Sequence, residues 1–180
     1  MAKTYTAPTT VSAGDAITAS LYNTYVGTNV ANLIVPPAVS CLRSTTQSIA
    51  NGTDVYVTWP IEVYDTDGMF TAGSDTVTIQ TAGIYLITVG VFFAANATGY
   101  RVVMVQKNGP GPTDQASLLS NAWVPATTIP TVVNTAVTAT FAASDTIKVV
   151  AAHLAGAALD IGSTTVPVTR LSVTWVGRTS

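Results

Sequence analysis

The stretch YDTDGMFTAGSDTVTIQTAGIYLITVGVFFAAN, residues 64–96, sets acid-bearing turns beside one long apolar run. The apolar part, Gly83 to Ala95, falls short of the roughly 18–20 residues that cross a bilayer and is interrupted by Thr88, so it reads as a strand. Just upstream, TVTIQ alternates Val77 and Ile79 with Thr and Gln, the period-two pattern of a strand with one core face. DTDG resembles the start of a calcium loop. Such a loop needs a third oxygen ligand and a Glu at the twelfth place, where this chain has Thr76. The reading for DTDG is therefore a tight turn, with TAG at 81–83 a second one, each built from residues that favour turns for backbone reasons.

Working outward, the chain from Pro37 onward consists of short runs rich in Val, Ile, Thr and aromatics. Turn residues separate them at intervals of roughly 8 to 12 positions, which predicts an all-β sandwich or barrel. RLSVTWV sets Leu171, Val173 and Trp175 against Ser172 and Thr174, and further turns stand at KNGPG after Gln106 and AASDT at 142–146. GIYLITVGVFF and RVVMVQ are apolar on both faces, which predicts cover by the second sheet on one side and by another subunit on the other.

Pro36 and Pro37 interrupt any helix and divide an N-terminal arm, residues 1–36, from a β domain, residues 37–180. In the arm Ile17, Leu21 and Tyr25 fall at i, i+4 and i+8, and Val26, Val30 and Leu33 at i, i+4 and i+7, with Thr18 placed as N-cap. The spacing predicts one short amphipathic helix. Gly27 and the β-branched and Asn residues around it make its intrinsic propensity poor, so it needs a neighbour to pack on.

Composition narrows the partners. Only 9% of the 180 residues are charged, against roughly 25% in an average soluble protein, and 48% are hydrophobic. The surface must be built from Thr, Ser, Ala and Asn, which suits burial in an assembly. Seven Lys and Arg, scattered from Lys3 to Arg178, form no basic run, so nucleic acid is not an expected partner. The opening MAKTYTAPTT lacks the apolar core of a secretory signal, so synthesis in a cytosol is expected. Cys41 stands alone, which rules out an intrachain disulfide and reads as a small buried residue.

Catalytic signals are weak. His153 is the only His, no G-x-S-x-G elbow occurs, and Glu62 is the only Glu, with the eight Asp mostly at turns. No enzyme activity, metal or cofactor is expected. Asn51-Gly52-Thr53 and Asn96-Ala97-Thr98 match the N-glycosylation pattern, as chance allows in a Thr-rich chain. Tyr56, Trp59 and Tyr64 could form a sugar-stacking face, with core or interface packing the plainer reading for Trp59. Trp123, in the loop-like SNAWVPATT, is the candidate for an exposed ligand contact, with core or interface packing standing equally beside it.

WPIEVYDTDGMFTAGSDTVTIQTAGIYLITVGVFF, YRVVMVQKNG, TVVNTAVTATFAASDTIKVVAAHLAG and TRLSVTWVG, in that order, resemble the jelly roll of the complement 1q globular head and tumour necrosis factor superfamily. The matching positions are Tyr64, Asp65, Gly68 and Phe70; Gly83 and Tyr85; Asn108 and Gly109; Asp145, Ile147 and Val149; and Leu171, Val173 and Trp175. The resemblance spans about residues 37 to 177. The chain departs from the family pattern at Ser144, where Gly is usual, and at Ala82, where Pro often stands. Residues 14–33 are in turn similar to the start of many small virion proteins of tailed bacteriophages, without that pattern's Trp and with Ser20-Leu21-Tyr22 where an acidic residue is usual.

These resemblances imply a two-sheet antiparallel jelly-roll sandwich with a short N-terminal helical arm, assembled as a homotrimer in a virion. The arm, through Leu21, Tyr25, Val30 and Leu33, would grip other virion structural proteins. Tyr85, Phe92 and Trp175 are the expected trimer-interface residues, with Tyr85 and Phe92 open to a core role as well. A tail-tip or fibre protein able to touch host-surface glycan is the leading expectation. A head-decoration protein and a soluble carbohydrate-binding module stand as alternatives.

Overall fold

The computed structural model describes Lys3, Thr6, residues 12–166 and residues 168–179. Thr18 caps the arm helix as its spacing predicts, its Oγ1 accepting from the Leu21 amide at 3.2 Å. The helix runs as α1 (Ala19–Tyr22), a π-helical segment (Asn23–Gly27) and α2 (Thr28–Ile34). At the end of the wide turn Thr28 Oγ1 donates to the Asn23 carbonyl at 3.0 Å, a side-chain bond that competes with regular helical pairing.

Twelve strands follow: β1 (Ala38–Arg43), β2 (Gln47–Ile49), β3 (Val55–Tyr56), β4 (Ile61–Asp65), β5 (Thr76–Thr78), β6 (Gly83–Phe93), β7 (Asn96–Lys107), β8 (Leu118–Thr127), β9 (Thr131–Phe141), β10 (Thr146–His153), β11 (Leu159–Ile161) and β12 (Thr169–Gly177). One sheet runs β4-β1-β12-β6-β9, with β11 and β2 added at the end of β6. The other pairs β10 with β3 and β5 on one side and with β7 on the other, and β8 closes it beside β7. Every pairing is antiparallel, and the result is the expected jelly-roll sandwich.

The alternation read from the sequence sets the core. Along β6, Tyr85, Ile87, Val89, Val91 and Phe93 point inward and are buried. They meet Leu171 and Val173 of β12, Val103 and Val105 of β7, and Ile147 and Val149 of β10 in one apolar cluster, which also takes in Trp59 and Val77. Fully burying each such side chain contributes about 1.5–3 kcal/mol, so the inner rows hold the two sheets together.

The turns behave as their residues require. Asp65 spends its carboxylate on backbone amides, accepting from Asp67 at 3.0 Å, Gly68 at 2.8 Å and Phe70 at 2.8 Å. Gly68 supplies the positive φ of 72° that this turn needs. At the far end Asp145 accepts from the Ala142 amide at 2.7 Å and from Asn108 Nδ2 at 2.6 Å, and pairs with Lys107 at 2.9 Å. Burial pushes this carboxyl's pKa up, but the bonds from Asn108 and Lys107 outweigh it and hold the group below the usual range. Two buried arginines, Arg43 and Arg101, serve backbone carbonyls: Arg43 donates to Thr58 at 2.6 Å and Thr46 at 2.7 Å, and Arg101 to Asn96 at 2.7 Å and Tyr100 at 2.9 Å.

One expectation about cover fails. The outward side chains of β7, Val102 and Met104, are buried within a single chain, in a small cluster with Val150 and Ala152. Tyr56, Tyr100 and Leu118 pack against them, and the chain's own loop at 108–117 folds over the neighbouring Gln106. Gln106 Nε2 donates to the carbonyls of Gly111, Pro112 and Asp114, the last at 2.7 Å, and the Tyr56 hydroxyl donates to Gly109 at 3.2 Å. No second subunit is needed to shield RVVMVQ. For β6 the situation differs: Leu86 and Thr88 are exposed and Ile84 and Phe92 only half-covered.

Candidate interaction surfaces

Two opposite sheet faces and the arm carry the expected functional residues. On the outer face of the larger sheet the register forms clean rows. Leu86 lies between Thr138 of β9 and Thr174 of β12, Thr88 between Ala136 and Ser172, and Gly90 between Asn134 and Arg170. Ser172 continues into Ser40 of β1, their hydroxyls 3.3 Å apart. A shallow depression of about 500 Å³ crosses these rows. Gly90 shapes it: a Cβ there would stand 2.5 Å from Asn134 Oδ1, so the Asn134 side chain lies over a position that only glycine leaves open. Arg170 is the one charge in these rows of β1, β12, β6 and β9. Depletion of charge at the centre is what distinguishes the core of a protein–protein interface from ordinary surface.

The expected interface residues separate. Phe92 is on this face, beside Val132 of β9, which is 38% exposed. Tyr85 is not: it has the parity of the core residues, is fully buried, stacks edge-on against Phe141 at 5.9 Å and donates its hydroxyl to the Thr81 carbonyl at 2.5 Å. Burial, then the Asp67 charge, pushes its pKa up. Trp175 stands near the end of β12, beside the arm. It packs partly buried against the core, its Nε1–H donates to the Ala82 carbonyl at 3.4 Å, and it lines a small cleft with Asn29, Leu33 and Pro37. Its neighbour is the arm of its own chain.

The arm helix has two different faces. Leu21 and Tyr25 are half-buried and Asn29 is buried. Asn29 holds the segment before the helix, Nδ2 donating to the Thr6 carbonyl at 2.9 Å and Oδ1 accepting from the Thr6 amide at 3.1 Å. Nearby the Lys3 amide donates to Thr81 Oγ1 at 2.8 Å, and Lys3 Nζ to the Val35 carbonyl. Val30 and Leu33 are 45% and 64% exposed, in a stripe with Tyr22 and Val26 whose Leu33 end also edges the cleft beside Trp175. Helical periodicity identified both rows. Asn29 carried no hydrophobic signal, although a mid-helix Asn is unfavourable enough to hint at a bonded role.

On the outer face of the smaller sheet Trp123 is 58% exposed. It stands on β8 itself, not in a loop, opposite Val102 of β7. Its ring lies 4.8 Å from that of Tyr100, tilted by 40°. Together they wall a cleft of about 250 Å³ whose floor is Val102, Met104 and Ala152 and whose rim holds Asp54, Gln115 and Asn121. Trp59 takes no part, being fully buried, and Tyr56 and Tyr64 lie on different sheets.

His153 is buried, with Nδ1 accepting from the Ala155 amide at 3.2 Å and Nε2 3.0 Å from the Ile49 carbonyl. The amide contact requires Nδ1 to be the acceptor, so Nε2 carries the hydrogen and the ring is neutral. Burial, then the Arg101 charge, lowers its pKa against the opposing bond to Ile49. Both ring nitrogens are occupied by backbone. Among the described residues no three His, Cys, Asp or Glu side chains converge as metal ligands.

Sheet order, pairing and the two-layer core define a jelly roll of the complement 1q and tumour necrosis factor type. Among solved structures the chain is similar to the globular domain of zebrafish complement 1qA protein, at 14% identity over 79% of this chain and 99% of that one, with a TM-score of 0.56. It is similar as well to murine APRIL at pH 5.0 (17% identity, 78% and 98% coverage, TM-score 0.59) and to Eiger TNF from S. frugiperda (11%, 80% and 94%, 0.56). These likenesses establish the fold. No family model and no curated protein matches the sequence.

Proposed function

We propose that the chain is a non-enzymatic structural protein of a tailed-bacteriophage particle, a homotrimer tied into the particle by its N-terminal arm. The observation that carries the reading is the outer face of the larger sheet, where Leu86, Phe92 and Val132 sit among hydroxyl side chains with Arg170 as the charge in the rows. A face so poor in charge is suited to burial against further copies, and three is the number implied by the family the sequence resembles. The exposed stripe of Tyr22, Val26, Val30 and Leu33 suits a grip on a different virion protein. The phage context rests on the sequence pattern of residues 14–33.

Trp123 and its cleft lie on the opposite sheet, so burial of the larger sheet leaves them facing outward. That arrangement favours a tail-tip or fibre position over a head-decoration role. Gold-labelled antibody against residues 37–180 should mark the tail end of purified particles. Label on the head would move the assignment to decoration, and label at neither place would overturn the virion reading.

A further inference from the structure

We propose that the cleft between Trp123, Tyr100 and Asp54 is a binding site for a single neutral pyranose ring. The proposal deepens the host-contact reading above, and its chemistry stands on the cleft alone. A pyranose with equatorial hydroxyls offers two kinds of surface: a flat patch of axial C–H groups and an edge of hydroxyls. The cleft offers a complement to each.

For the flat patch there is the indole of Trp123, 58% exposed although it stands in a regular strand. Tyr100 sits against it at 4.8 Å and tilted, so the two rings make one bent apolar wall. The buried floor of Val102, Met104 and Ala152 extends the apolar surface inward. An aromatic ring left in water on a strand forgoes substantial apolar burial, which contact with a ligand recovers.

For the hydroxyl edge there are Asp54, Gln115 and Asn121 on the rim. A carboxylate accepts, and each amide both donates and accepts, which matches hydroxyls that do both. No side-chain hydrogen bond within the described residues occupies any of the three. They arrive from separate segments, the loop before β3, the loop after β7, and β8. Size and charge narrow the ligand further. The volume of about 250 Å³ is below the roughly 300–1,000 Å³ of sites for drug-sized molecules, which fits one ring and not a peptide segment. Among the described residues Asp54 is the one charged side chain in the lining, so an acidic sugar would meet a like charge there.

The test uses the full-length protein and saturation-transfer NMR with methyl β-D-glucopyranoside, methyl β-D-galactopyranoside and methyl β-D-glucuronide. At least one neutral glycoside should receive saturation on its axial C–H protons, with a dissociation constant on the order of 1 mM, and the glucuronide should bind more weakly. Trp123→Ala should weaken binding at least about tenfold, equivalent to about 1.4 kcal/mol of lost stacking, while Trp123→Phe keeps most of it. Asn121→Ala should weaken binding with the aromatic wall intact. Absence of transfer to either neutral glycoside at about fifty times the expected constant, transfer that survives Trp123→Ala, or equal binding of N-acetyltryptophanamide would each overturn the proposal. A chain found monomeric or absent from particles would refute the assembly reading without touching this one.

Discussion

Replacing Leu86 with Asp tests the assembly reading at its centre. Leu86 is 39% exposed on the outer row of β6, flanked by Thr138 and Thr174. Full burial of a Leu side chain is worth about 1.5–3 kcal/mol, so covering the exposed two-fifths contributes about 0.6–1.2 kcal/mol per copy and about 2–4 kcal/mol per trimer. Leu86→Asp removes that gain. It also places three carboxylates in a buried face, where desolvating each costs several kcal/mol. A combined loss above about 5.5 kcal/mol lowers the association constant by more than about 10⁴. In the isolated chain the same side chain points to solvent, so the cost to folding is limited to strand propensity, about 1 kcal/mol or less. Light scattering after size exclusion, at micromolar concentration, should give a wild-type mass three times the chain's 18.5 kDa and a variant mass of one chain, with unchanged circular dichroism. Trp123→Ala, on the opposite sheet, should leave the mass trimeric. A Leu86→Asp protein that remains trimeric would refute the placement of the interface, and a wild-type chain of 18.5 kDa would refute the trimer itself.

Three further outcomes follow from single residues. His153 has a folded-state pKa below its unfolded value because it is buried neutral, so its contribution to stability is complete above about pH 6.5 and is lost as pH falls through the lowered folded value. Urea unfolding between pH 7.5 and 5 should show stability falling with pH, a slope that His153→Gln removes; an unchanged slope would contradict the neutral buried ring. Cys41 is fully buried, and burial, then the Asp65 and Glu62 charges, pushes its thiol up to about 12. It should resist iodoacetamide in the native protein at pH 8 and react at once in denaturant, since only the thiolate attacks; rapid native labelling would contradict its placement. Ser144 holds a φ of 73° on an exposed turn, so Ser144→Gly should stabilise by about 1 kcal/mol, read as a higher Tm at fixed protein concentration.

The strand pattern was legible because parity survives in the residues themselves. Val77, Ile79, Leu171 and Val173 are all inward and buried, as their alternation predicts. The same parity, counted from Tyr85 through Ile87, Val89 and Val91, places Tyr85 in the core and Phe92 with Thr88 and Gly90 outside. That signal was present, but a run apolar on both faces hides which side is the inner one. The cover over Gln106 was not legible, because NGPGPTDQAS marks a break in the strand without stating that it folds back onto the sheet it leaves. Trp123 could be singled out by type alone. Tyr100, Asp54, Gln115 and Asn121 could not, since only the folded sheet brings these distant segments to one cleft.

The π-helical segment Asn23–Gly27 gives the arm a phase that its length controls. One residue more than an α-turn requires is accommodated there, and each residue of an α-helix turns the chain by about 100°. Removing a single residue from this segment would let it relax to regular α-helix and rotate Leu21 by about that angle relative to Asn29. Val30 and Leu33 follow the segment and would keep their place, while everything ahead of Tyr22 would be aimed elsewhere, at the expense of the two bonds that tie Thr6 to Asn29. A one-residue change in this short insertion is thus a means by which related chains could redirect the start of the arm and keep the β domain untouched.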